Sequence, residues 1–202
     1  MAEHEARATG AEGVSWSFAT FSGANAALFT RHDSTKVMKT GEFLIMGYAT
    51  IYQGYNTDIT ATTVVGESPT KEQKRMYSIV LNSYRSSLSM AKPGASTRRI
   101  SERAAAQLEE NGIERRYSFA NNVPLIHGLG MNVYEPPFSP DPGLDSPDHR
   151  LVKGNVLAIE PSIANPDRPE LGGIRLGETI VITDNEPRVL GAIPERSLSV
   201  FS

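Results

Sequence analysis

Polar and apolar residues along this 202-residue chain change period twice. From Val14 to Phe21 they alternate, with Val14, Trp16 and Phe18 set against Ser15, Ser17 and Ala19. That period of two predicts a strand with one buried face. The polar residues before it, 1–13, read as the end of a helix closed by Gly10 and Gly13. Ser22-Gly-Ala-Asn25 and Lys39-Thr-Gly41 read as turns, and the second leads into the apolar run Phe43-Leu-Ile-Met46. Tyr48 to Tyr55 and Asp58 to Val65 predict a hairpin around Gln53-Gly54.

The period then lengthens. Met76, Ile79, Val80, Tyr84 and Leu88 recur at helical spacing and predict one buried helix face. Thr70-x-x-Gln73 or Ser68-Pro69 supplies its start. Pro93-Gly94 breaks the connection, and Ile100, Ala104 and Leu108 mark a second amphipathic helix stopped by Asn111-Gly112. From Tyr117 the pattern returns to short strands and turns, interrupted by a proline-rich loop over residues 136–150 with little core of its own. Two helices between sets of strands imply an α+β fold, a sheet backed by helices. The length suits a single domain over residues 1–202 with a real core.

Composition narrows the partners. Hydrophobic content of 39% and charged content of 21% are those of an ordinary soluble globular protein. A net charge of −3 provides no electrostatic footprint for nucleic acid or an anionic membrane. The absence of cysteine excludes disulfides and thiolate metal sites. No run reaches the roughly 18 apolar residues of a membrane span. The start, Met1-Ala-Glu-His-Glu-Ala-Arg7, lacks the apolar centre of a signal peptide, so a cytoplasmic location is expected.

Candidate chemistry centres on Leu125-Ile-His127-Gly-Leu-Gly130-Met-Asn-Val-Tyr-Glu135-Pro-Pro. A lone histidine stands there on a strand-like segment, beside two glycines that admit close approach of another backbone. Three more blocks accompany it: Gly54-Tyr-Asn-Thr-Asp58-Ile-Thr, Gly154-Asn-Val-Leu-Ala-Ile-Glu160-Pro, and Gly172-Gly-Ile-Arg175-Leu-Gly177-Glu178-Thr. In this order, from about Gly13 to Leu190, the blocks resemble the pita-bread family of methionine aminopeptidases, aminopeptidase P, prolidase and creatinase. The resemblance implies an α+β pita-bread fold, a curved antiparallel sheet backed by helices. Residues 1–13 would be what is left of a longer N-terminal part.

In that family two aspartates, one histidine and two glutamates hold two metal ions. The resemblance carries three of them onto Asp58, His127 and Glu160. The other two positions are Gly47 and Gly177. One metal position keeps three ligands and the other keeps only Asp58. Three protein groups with open positions suit a single divalent ion, Mn, Fe or Zn. Glu178 could replace the glutamate lost at 177 only through a bulge, because neighbours on a strand face opposite ways. Two family histidines are also replaced, one by Thr30, with His32 two residues away, and one by Tyr134. Tyr134, Arg175 and His32 are the candidate substrate-binding residues, and His127, Glu160 and Tyr134 the candidate catalytic ones. His4 and His149 read as solvent-facing.

Two function classes follow. The first is a divergent aminopeptidase P/creatinase-like enzyme acting on a C–N bond of a small amide, amidine or peptide-like substrate. It would use one metal ion or, with none, His127 as acid and base. The second is a catalytically inactive pita-bread domain that binds peptides or proteins. Family members carry a longer N-terminal region with a helix on the sheet. Its shortening here leads to the expectation of a homodimer or a companion subunit covering that face.

Overall fold

The computed structural model describes residues 2–16, 19–28, 34–117, 124–140, 147–191 and 198–201. The first half runs α1 (Ala2–Ala8), β1 (Gly13–Val14), β2 (Ala19–Ser22), β3 (Phe43–Tyr48), β4 (Thr50–Tyr52), β5 (Tyr55–Asn56) and β6 (Ile59–Val65). Two helices follow, α2 (Lys71–Met90) and α3 (Thr97–Glu109). The second half contains β7 (Ile126–Gly128), β8 (Val156–Ile159), β9 (Ser162–Ala164), β10 (Gly173–Arg175), β11 (Glu178–Val181), β12 (Arg188–Val189) and β13 (Val200–Phe201).

Two four-stranded sheets form the body, in the orders β13-β6-β3-β2 and β12-β11-β8-β7. All their pairings are antiparallel except that of β13 with β6. The sheets meet at Thr60 and Gly177, which exchange both backbone hydrogen bonds, Thr60 N–H to Gly177 O at 3.1 Å and Gly177 N–H to Thr60 O at 2.9 Å. Helices α2 and α3 lie over them. Tyr77, Val80 and Tyr84 of α2 and Ile100, Ala104 and Leu108 of α3 share one core with Leu157, Ile159, Ile174 and Ile180 of the strands. The α+β reading holds, and so do both helices. Thr70 caps α2 through a capping box: its hydroxyl accepts from the Gln73 N–H, and the Gln73 side chain accepts from the Thr70 N–H. Among the described residues no helix is long and apolar enough to cross a membrane.

Two local expectations need correction. The alternating run from Val14 to Phe21 is not one strand. β1 pairs with β4, and β2 pairs with β3 in a different sheet; Ser17 and Phe18 lie outside the described residues. The expected hairpin is also shorter. Only β4 and β5 pair around Gln53-Gly54, where positive φ at both residues (50° and 76°) suits a tight two-residue turn. Most of Asp58 to Val65 pairs instead with β3, in register from Phe43↔Val64 to Tyr48↔Ile59. A period of two reports which face is buried, not which partner a strand takes. The proline-rich loop is tied down at both ends. Ser139 N–H donates to Ile126 O at 2.8 Å, and Asp148 accepts from the Ser96 hydroxyl at 2.8 Å at the start of α3; residues 141–146 lie outside the described set.

These contacts rank two substitutions. Ile174→Ala, at a fully buried position, should cost about 2–5 kcal/mol, and Thr70→Ala, which removes the cap, about 1 kcal/mol. Urea unfolding of both variants beside wild type measures the difference; equal losses would mean that the core does not run through Ile174.

Candidate metal and catalytic centre

Pleat geometry assembles the site. His127 lies opposite Ala158 across the β7–β8 pair, and Glu160 is two residues after Ala158, on the same face. The Glu160 N–H donates to Leu125 O at 2.8 Å, which keeps the end of β8 beside β7. Asp58 immediately precedes β6. Its backbone is clamped by Thr179 of β11, whose hydroxyl accepts the Asp58 N–H at 3.1 Å and donates to the Asp58 carbonyl at 2.9 Å. Asp58, His127 and Glu160 are thereby gathered, each offering one ligand atom within 4.8 Å of the others, all buried. His127 Nε2 stands 3.4 Å from Glu160 Oε2 and 3.6 Å from Asp58 Oδ2. The other ring nitrogen, Nδ1, is 3.3 Å from the Gly128 carbonyl, so both ring nitrogens face oxygen acceptors.

The two glycines after His127 have separate uses. A Cβ on Gly128 would fall 2.6 Å from the Glu135 carbonyl, because residues 135 and 136 cross directly over it. Gly130 instead faces the Glu135 side chain. The crossing brings Tyr134 back over the histidine, with ring centroids 4.3 Å apart. Tyr134 also meets Trp16 edge-on and lines an open cleft of about 420 Å³ with Val14, Ile51, Asn56, Met131 and Val133.

Electrostatics set the protonation states. Burial, and then the charge of Glu160, push the Asp58 carboxyl well above the usual carboxylate range, against the pull of Arg175. Glu160 goes the other way. Burial raises it, but the Arg175 cation and the contact with His127 outweigh burial and hold it below its ordinary value. Burial and the Glu160 charge raise the Tyr134 phenol, so it remains a proton-bearing donor at neutral pH. Arg175 is itself buried, and its guanidinium pairs with Glu160 Oε2.

The donor set suits a divalent cation. Asp58 is fully buried, and neither of its carboxylate oxygens has a hydrogen-bond partner among the described residues. A buried carboxylate in that state is costly unless a proton or a cation neutralises it. One imidazole nitrogen and two carboxylates are a usual ligand set for such an ion.

Gly47 and Gly177, where the resemblance leads to the expectation of two further carboxylates, both lie beside Thr60. Gly47 of β3 pairs with Thr60 on one side, and Gly177 bridges Thr60 on the other. Both glycines flank a single threonine, whose hydroxyl donates to Glu160 Oε1 at 2.9 Å. Glu178 does not join the cluster. It faces Gly191, on the opposite side of β11 from the cluster.

A model of metallopeptidase family M24 matches residues 1–184. The chain belongs to metallopeptidase family M24. This M24 chain is 34% identical over 184 residues to a Xaa-Pro dipeptidase of Pyrococcus horikoshii, covering 91% of the chain and 49% of that relative. The solved prolidase of Pyrococcus furiosus superposes with a TM-score of 0.82 at 31% identity, over 93% of this chain and 52% of that one. An X-Pro aminopeptidase of Thermotoga maritima gives 0.85 at 30% identity, over 98% and 53%. The fold is therefore the pita-bread fold, as the four blocks imply, and the M24 chain spans about half the length of the curated relatives it matches.

Asp58, His127, Glu160, Tyr134 and Arg175 all converge, with Arg175 in an internal ion pair. Thr30 and His32 lie outside the described residues. His4 is exposed, whereas His149 is half-buried beside α3, where its N–H donates to Thr97 Oγ1 at 3.2 Å. Sequence reasoning missed Thr60 and Thr179. The signal for Thr60 was its spacing, two residues after Asp58 on an extended segment.

Asp58 generates a pH prediction. Its folded pKa is raised, so the stability its neutral form contributes is complete below the unfolded value of about 3.9 and is lost as pH rises toward the folded pKa. With chelator present, wild type should lose stability relative to the uncharged Asp58→Asn as the pH is raised through that window. Denaturant unfolding across a pH series reads the gap, and parallel curves would contradict a neutral buried Asp58.

Proposed function

We propose that this chain is a prolidase- and aminopeptidase P-like hydrolytic domain that cleaves a C–N bond of a small peptide-like or amide substrate. One divalent ion, Mn, Fe or Zn, replaces the family pair. The observation that carries the reading is the buried Asp58 carboxylate, without hydrogen-bond partners among the described residues and facing His127 Nε2 and Glu160. Asp58, His127 and Glu160 would hold the ion, and when bound it would polarise the scissile carbonyl and acidify water. The protein's own groups do the rest. Glu160, ionised in this site, accepts a proton from the attacking water and returns it to the leaving nitrogen as the C–N bond breaks. Tyr134, kept protonated, donates a hydrogen bond to the charge that develops on the substrate. The cleft beside Tyr134 admits the substrate; the described lining contains no acidic or basic side chain, which favours uncharged groups there.

A second reading has its own support. With glycine at 47 and 177, and with Arg175 already paired to Glu160, the same cleft suits a binding module that holds a peptide without cleaving it.

Metal content per chain, measured on protein purified without chelator, separates the readings. The expected value is close to one ion, lost in Asp58→Ala. Two ions would overturn the one-ion site, and none after added Mn or Zn would favour the binding module. On a panel of Xaa-Pro dipeptides, other dipeptides and simple amides, Tyr134→Phe should lower kcat on the order of a hundredfold and leave metal content unchanged. An unaltered kcat would remove Tyr134 from the chemistry.

A further inference from the structure

Glu160 is held from three sides. Thr60 donates to Oε1 at 2.9 Å, the Arg175 guanidinium pairs with Oε2, and His127 Nε2 lies 3.4 Å from that same Oε2. Thr60 and Arg175 are both tied to Gly177. Thr60 bridges it, and Arg175 is two residues before it on the same face of an extended segment.

A Cβ built on Gly177 would stand 2.6 Å from Glu160 Oε1, 2.8 Å from Cγ and 3.1 Å from Cδ. The conflict reaches the middle of the side chain, so turning the terminal carboxylate alone does not relieve it. Any other residue at 177 would displace Glu160 from this position. Gly47, on the other flank of Thr60, differs: a Cβ there would meet Ala19 Cβ and Thr60 Oγ1 at 3.7 Å, an ordinary contact. At 177 the space of a side chain is taken by Glu160. At 47 a side chain could be added.

We propose that Glu160 has two seats, one against Arg175 and Thr60 and one toward Asp58 and His127 as a ligand to a divalent cation, and that Gly177 creates the first. Arg175 is then an internal competitor for the ion. A guanidinium and a divalent cation attract the same carboxylate and repel each other at short range in a buried site. The inference rests on the one-ion reading above and sets the character of that site. The ion loads and unloads with its free concentration, because closing the empty site regains the Arg175–Glu160 pair. Arg175 and Gly177 act here as positioning residues, through Glu160.

The test is calorimetric titration of the chelator-stripped full chain with Mn²⁺, comparing wild type, Arg175→Met, Gly177→Ala and Glu160→Gln. Arg175→Met removes the competitor. Gly177→Ala closes the first seat while keeping the arginine, and Gly177 lacks the positive φ that would strain alanine. Because Arg175→Met leaves a buried carboxylate without its cation and can fail to fold, Gly177→Ala carries the test independently. The expected result is Mn²⁺ binding tighter than wild type by on the order of tenfold or more in both variants, and weaker in Glu160→Gln. If wild type binds one Mn²⁺ and Gly177→Ala binds it equally or less tightly, the two-seat competition is wrong and the one-ion reading stands. If neither wild type nor Gly177→Ala binds Mn²⁺, the one-ion reading fails and the competition falls with it.

Discussion

The seam between β6 and the segment joining β10 to β11 holds the site in register. Thr60 and Gly177 exchange both peptide hydrogen bonds across it. Two residues on, the Thr62 hydroxyl donates to the Arg175 carbonyl at 2.7 Å and accepts the Arg175 N–H at 3.0 Å, between positions 113 apart in the chain. Asp58 arrives with β6, while Glu160 and His127 arrive with β8 and β7, which lie in the sheet that β11 joins. Without the seam Asp58 would have no defined relation to the other two. Helices α2 and α3 support it from behind by burying the apolar faces of both sheets in one core.

What the seam gathers is a buried concentration of charge. Asp58, Glu160, Arg175 and His127 are all buried. Ion pairs in such surroundings contribute little net stability, because desolvation offsets their attraction. Two carboxylates face one guanidinium, so one negative charge is left over. It falls on Asp58, whose oxygens no hydrogen bond reaches among the described residues. A proton or a cation must settle there, and this makes the cluster a receptive site rather than only an internal salt bridge.

Much of the fold was legible because short-range chemistry decides it. The Thr70–Gln73 box, the 3.6-residue period of Ile79, Val80 and Tyr84, and the stop at Asn111-Gly112 all act within a few residues of themselves. Strand partnership was less legible. Val14 and Ala19 fit one alternating pattern and yet belong to different sheets, because pairing depends on residues far away in the chain. The turn at Gln53-Gly54 was readable, but the length of its hairpin was not. β6 finds a longer partner in β3 than in the strand just before it.

The candidate site divides along the same line. From the sequence alone came the family, the fold class, three candidate ligand positions and the two glycines at which the resemblance expects carboxylates, since order and residue type along the chain carry that information. Only the tertiary structure put both glycines on either side of Thr60, turned Glu178 away toward Gly191 and seated Glu160 on Arg175. The physical reason is the pleat combined with the seam. A strand states which residues share a face, and only the meeting of two sheets decides what that face confronts.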